Sequence, residues 1–282
     1  MKFEHTEVMN FEGAFRGMRN PMNSWAKGDS SFGIGCEHED DVMACEIASA
    51  WSEYAVKDLV DSEETLDEIR DKVFDERLEW LYRNGYKFLS SDHHNTANYI
   101  GPNDMDLARR LISGGTEHRK FLRQIFVSVD ITAPRYWWAE FDTYKVGTTA
   151  NSTSTMHKLA STPITLECFE TDDYALIDDD MLSVSTEGGS CREILSYNEG
   201  VELFIQFLEN LRQKYNETKD KRYWKELIRL LPNGWLQTRT VTMNYENLRS
   251  MYHQREYHKL SEWHQFCDWV KTLPYAEELI IN

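Results

Sequence analysis

Eleven residues separate Asn244 from Arg255 in the stretch NYENLRSMYHQR. That interval is close to three helical turns, so on a helix Asn244, Leu248, Met251, Tyr252 and Arg255 share one stripe. An arginine on an otherwise apolar stripe needs a partner, because an unpaired guanidinium taken out of water is costly. An internal carboxylate would make Arg255 a structural ion-pair residue. A carbonyl cluster, or an anionic or carbonyl-bearing ligand, would make it a binding group. Both readings stand at the level of the residues.

A second constellation begins at RYWWAEFDTY, residues 135 to 144, and continues into GTTANSTST, residues 147 to 155. Small hydroxyls and amides after an aromatic cluster supply donors and acceptors at low bulk, which suits either a ligand-lining loop or a solvated one. Tyr136, Trp137, Trp138 and Tyr144 form either a stacking platform for a planar ring or a core cluster. Metal chemistry is not expected: His93 and His94 beside Asp92 have no second ligand group at a recognisable spacing. The acidic runs Asp172-Asp173 and Asp178-Asp179-Asp180 read as solvated surface. The five cysteines are scattered and form no CxxC pair, as expected of reduced thiols.

The chain has 282 residues and a formal net charge of −17, which excludes a sequence-independent grip on nucleic acid. A local Arg and Lys cluster still holds a small anion inside an acidic protein. No run of apolar residues reaches membrane-spanning length, and the opening MKFEHTEVMNF has neither a basic region nor an apolar stretch. A soluble, cytoplasmic protein without a membrane partner is expected.

The elements that must position these residues follow from periodicity. Residues 1 to 36 mix short apolar runs with Gly and Pro and read as strands or loops broken by turns. Helices are expected over 39 to 59 and 62 to 85, packed as a pair, and over DMDLARRLISGG, which stops at Gly114-Gly115. A brief helical piece should cover 117 to 123. Ile125, Val127, Val129 and Ile131 alternate with polar neighbours as a half-buried strand ending at Ala133-Pro134. The span 162 to 192 reads as acidic and irregular. Val201, Phe204, Ile205, Leu208 and Leu211 mark an amphipathic helix, and DKRYWKELIRLL a further one before Pro232. WLQTRTVTMN reads as a strand running into the last helices. The simplest architecture is one α+β domain over 1 to 282, an antiparallel sheet flanked by helices.

From Leu231-Pro232, twelve residues to Asn244 and eleven more to Arg255, the chain resembles the flavin-dependent thymidylate synthases. Thr242, Leu248 and Trp263 stand at matching spacings, with Ser261-Glu262 where Ala-Gln is usual. The resemblance spans about 113 to 275 and reaches upstream to His118, at the place of a histidine near flavin and folate. The family's signature, RHRxxSxNExSxRY, is almost gone: its places fall at Thr143, Tyr144 and Lys145, then Thr148, Ala150, Asn151, Thr153, Thr155 and Met156. Arg229 nearly matches the arginine that precedes Leu-Pro, one position out of register.

This resemblance implies an α+β homotetramer that binds FAD and a pyrimidine nucleotide of the dUMP type. NADPH and methylenetetrahydrofolate would be co-substrates in a reductive one-carbon transfer to C5. It assigns a catalytic role to Arg255, cofactor contacts to His118, Lys145, Asn244 and Arg255, and substrate contacts to Asn151, Thr153, Arg229 and Arg255. A charge-assisted contact is worth roughly 1.5 to 3 kcal/mol. Thr143, Lys145 and Thr155 in place of three arginines therefore weaken nucleotide binding by about two to four decades unless another group compensates. Arg135, Arg229, Arg239 and Arg249 are the candidates. The alternative is a non-catalytic nucleotide-binding or assembly protein on the same fold.

Overall fold

In a computed structural model, the structure describes residues 1–34, 87–88, 97–171, 184–188, 191–195 and 197–282. The two helices expected over 39 to 59 and 62 to 85, the His93-His94 pair and the acidic runs at 172 and 178 lie outside the described residues. The chain forms a mixed helix and sheet fold with a four-stranded antiparallel sheet flanked by helices. It divides into two compact units, Met1–Thr6 with Ser128–Thr242, and Glu7–Val127 with Met243–Asn282.

Most of the four-stranded sheet belongs to the first unit. Its strands β1 (Lys2–Met9), β5 (Phe126–Pro134), β6 (Thr149–Ser152) and β9 (Leu236–Asn244) lie in the order β1-β5-β9-β6. Alternation gives the sheet two unlike faces. Val129, Ile131, Ala133 and Val241 are fully buried on one. The other is polar: Thr132 and Thr238 hydroxyls meet at 2.7 Å, and Asp130 accepts from Thr240 at 2.5 Å and pairs with His5 at 3.0 Å. These two hydroxyl contacts hold its carboxyl below the usual range, Thr240 more than His5. Pro134 completes β5, and α3 (Arg135–Phe141) starts at once. A single turn of helix, α4, covers Thr155–Lys158.

Two corrections concern this unit. The hydroxyl run 149 to 152 is a strand, not a loop. It pairs antiparallel with β9, Thr149 opposite Thr242 and Ser152 opposite Arg239, and all four of its residues are exposed. An edge strand with no buried face needs no apolar residues, which is why alternation did not reveal it. The span expected to be irregular contains a hairpin, β7 (Val184–Gly188) and β8 (Cys191–Leu195). The expected helices follow as α5 (Tyr197–Thr218) and α6 (Lys221–Leu230), closed over Leu159, Ile164, Phe169, Leu208, Leu227 and Leu231.

The second unit holds α1 (Phe11–Met18), which the Gly- and Pro-rich opening did not suggest, and a three-stranded sheet β2-β4-β3 (Ser31–Ile34, Ala97–Ile100, Lys87–Phe88). It also holds α2 (Pro102–Ser113) and a 3-10 turn over Lys120–Gln124, three residues later than the sequence implied. The final helices are α7 (Tyr245–Arg255) and α8 (Ser261–Lys271). Leu248, Met251, Trp263, Phe266, Val270 and Leu279 are buried among them. The Tyr245 hydroxyl donates to Pro274 O at 2.7 Å, and the Tyr275 hydroxyl accepts from Ile100 N at 3.1 Å.

Candidate functional site

Asn244 is the last residue of β9 and the N-cap of α7. Its Oδ1 accepts from Asn247 N at 3.0 Å, and Asn247 Oδ1 accepts from Asn244 N at 3.3 Å. This reciprocal box satisfies donors that the first helical turn leaves orphaned. Because a backbone N–H fixes which end of the carboxamide is oxygen, the Nδ2 amide is turned outward. The side chain is 7% exposed, and Nδ2 has no hydrogen bond to any described residue. A buried amide with one end occupied and the other free is a donor set for a carbonyl or phosphate oxygen.

Arg255 ends the same helix. Its stripe is as the spacing requires, with Leu248, Met251 and Tyr252 buried. The guanidinium is half-buried and lies over the Trp263 ring at 4.6 Å from the centroid, so the aromatic face of α8 is one partner that spacing could not name. Its position at the end of α7 also complements the helix dipole.

His118 sits in the turn before the 3-10 segment, exposed, its ring against Gly114, where an added Cβ would come within 3.2 Å. The neighbouring Arg119 Nε donates to both oxygens of Glu246, at 2.8 and 3.1 Å. Glu246 lies in the first turn of α7, so this mostly buried pair ties the His118 segment to the helix that Asn244 caps. Sequence reading missed the pair, and nothing local signals two residues 127 apart.

The other expected site residues lie in the first unit. Lys145 is an exposed residue of the turn after α3, and Asn151 is exposed on β6. Exposed Thr153 donates its backbone N–H to Thr238 O at 3.0 Å, while its carbonyl accepts from Gln237 Nε2 at 2.9 Å. Arg229, in the last turn of α6, pairs with Glu226 at 3.0 Å on the surface. No hydrogen bond or ion pair joins any two of these four.

Of the arginines named as compensators, Arg249 is committed to the C-terminal end: its Nη1 donates to Ile280 O at 2.8 Å and Asn282 O at 2.6 Å. Burial, then the nearby Arg119, draws its pKa down. Arg239 is the more informative. It shares the apolar face of β9 with Val241, is 15% exposed, stacks on Trp138 at 4.2 Å, and donates to Asp142 at 2.7 Å and Gln237 at 3.1 Å. The period-2 pattern Gln237, Arg239, Val241 was the available signal. The aromatic alternative also resolves for two residues: Trp137 and Trp138 are buried and packed with Phe141 at 5.0 and 5.3 Å, a core cluster.

In a cavity of about 300 Å³ between α7 and α8, Tyr252, Tyr257, His264 and Lys271 surround Cys267. Burial pushes the Cys267 thiol up to about 11, so it is protonated and inert near neutrality. Among the described residues there is no His, Cys, Asp or Glu group able to hold a metal, and no helix long and apolar enough to cross a membrane.

No family model matches the chain, and no curated protein matches it in sequence. Among solved structures the chain is similar to flavin-dependent thymidylate synthase ThyX from Helicobacter pylori complexed with FAD and dUMP. The identity is 18% and the TM-score 0.44, over 68% of this chain and 85% of that one. A second structure of that enzyme with FAD and dUMP gives 17% identity and a TM-score of 0.43, over 64% and 82%. A UMP/dUMP methylase, PolB from Streptomyces cacaoi bound with 5-Br UMP, gives 13% and 0.43, over 63% and 82%.

Proposed function

We propose that this chain binds FAD and a pyrimidine nucleotide of the dUMP type and carries out a reductive one-carbon transfer to C5, as a diverged relative of the flavin-dependent thymidylate synthases. The observation that carries the reading is the carboxamide of Asn244: buried, fixed by its own capping box, and offering a free N–H donor. It stands at the position where the motif resemblance asks for a ligand contact. Bound FAD would supply the hydride relay, with NADPH and methylenetetrahydrofolate as hydride and one-carbon sources.

What the chain itself contributes is orientation and charge. Asn244 Nδ2 holds a carbonyl or phosphate oxygen, and its position is set by the helix start rather than by a mobile side chain. Arg255 presents a permanent positive charge whose plane is steadied by Trp263, suited to a developing negative charge or a phosphate. His118 and Lys145 complete the cofactor contacts, and Asn151, Thr153 and Arg229 the substrate contacts. Thr143, Lys145 and Thr155 at the arginine places of the signature favour a second reading, a nucleotide-binding protein that has lost the chemistry.

Two measurements separate these readings. Purified protein reconstituted with FAD should show the flavin absorbance bands after desalting; a colourless protein that takes up no FAD defeats the flavin reading. Tritium release from C5-labelled dUMP, with FAD, NADPH and methylenetetrahydrofolate present, should then proceed. Flavin binding without release leaves the non-catalytic reading standing.

A further inference from the structure

The second unit contains another guanidinium whose outer edge is uncommitted. Arg19, at the end of α1, is 6% exposed, and its Nε donates to Asp104 Oδ1 at 2.6 Å. Asp104 is otherwise saturated, its Oδ2 accepting from Ser30 Oγ at 2.6 Å, Ser30 N at 3.0 Å and Asp29 N at 3.2 Å. The carboxylate thus ties down the loop and takes only the Nε of the arginine. On the far edge, Nη1 reaches Ser24 O at a long 3.4 Å, and Nη2 has no hydrogen bond to any described residue.

Arg19 borders a cavity of about 260 Å³ whose other walls include Phe15, Arg16, Trp25, Gly28 and Phe32. The Trp25 indole N–H donates to Asn20 Oδ1 at 2.8 Å, which fixes a ring that is nevertheless 51% exposed. Phe15 and Phe32 pack with ring centroids 6.4 Å apart. Arg16 is held only by a surface pair with Glu12 at 3.3 Å, so its charge is available to the cavity.

We infer that this cavity is a binding site for a small acid, a carboxylate or phosphate group carried on one planar or apolar ring. The paired N–H groups of a guanidinium edge match two oxygens of such an acid, and burial has already immobilised this one. The aromatic walls take the body of the ligand. At this volume the site admits a single ring with its acid group, not a dinucleotide, so it is distinct from the flavin reading above.

Calorimetry with benzoate, phenyl phosphate and inorganic phosphate tests the site. One of the two aryl acids should bind saturably with one-to-one stoichiometry, and which one binds identifies the acid group. Gly28→Val is the informative variant: its Cβ would lie 3.6 Å from Arg19 Nε and Asp104 Oδ2 and 3.2 Å from Trp25 O, filling the cavity while leaving the ion pair in place. Affinity should fall at least about tenfold in it. Trp25→Ala removes an exposed wall without touching Asp104, and should lower aryl-acid affinity toward that of inorganic phosphate. No saturable binding of either aryl acid up to roughly 10 mM, or unchanged affinity in both variants, overturns the assignment.

Discussion

Asn244 performs two tasks with one carboxamide, and they are separable. The oxygen caps α7 and the nitrogen faces away from the box. Aspartate is as good an N-cap as asparagine but carries no N–H. In Asn244→Asp the melting temperature should therefore stay within a degree or two of the parent, while FAD or nucleotide affinity, read by fluorescence titration, falls about tenfold or more. Unchanged affinity would assign Asn244 to capping alone. Arg255 is tested in the complementary direction. Arg255→Ala removes a half-buried charge stacked on Trp263, so ligand affinity should drop more than stability does. A large calorimetric loss of stability with ligand affinity intact would make it a structural residue. The sequence revealed the Asn244–Arg255 interval because helical spacing is local; it could not name Trp263, whose contact depends on how α8 returns against α7.

At the scale of elements, α5 shows how one helix fixes a loop. Arg212 pairs with Glu209 at 2.6 Å, Glu209 accepts from Ile164 N at 2.8 Å, and Arg212 and Asn216 both donate to Ala160 O. The Arg212 hydrogen bond, aided by Ile164 N and Gln213, lowers the Glu209 pKa to about 2 from an ordinary 4.5. A folded-state pKa below the unfolded one means the contribution is complete above pH 4.5 and is lost as pH falls toward 2. Glu209→Gln should thus be less stable than the parent at pH 7, with the gap closing through that acid window; a gap independent of pH would contradict the linkage. The amphipathic period of α5 was legible, since its apolar positions recur at helical spacing. Strand β6 was not, because with all four residues exposed it carries no hydrophobic pattern and exists through its pairing with β9.

At the scale of the molecule, an acidic chain of net charge −17 is read here as a homotetramer, an assembly in which self-repulsion must be outweighed by interface burial. Sedimentation of the FAD-loaded protein at micromolar concentration should give a tetramer mass, with dissociation favoured at low ionic strength; a monomer throughout would remove assembly from the proposal. What the sequence determined by itself was local: the alternation of β5, the helical periods of α5 and α6, the stop at Gly114, and the strand-to-helix step carrying Asn244 and Arg255. Backbone geometry writes these over a few residues, so spacing alone recovers them. Tertiary structure decided the pairings. Arg19 meets Asp104 across 85 positions, Thr240 meets Asp130 across 110, and Arg119 meets Glu246 across 127. No local period encodes such distances, and it is packing that turned one asparagine amide and one arginine edge outward as groups still able to hold a ligand.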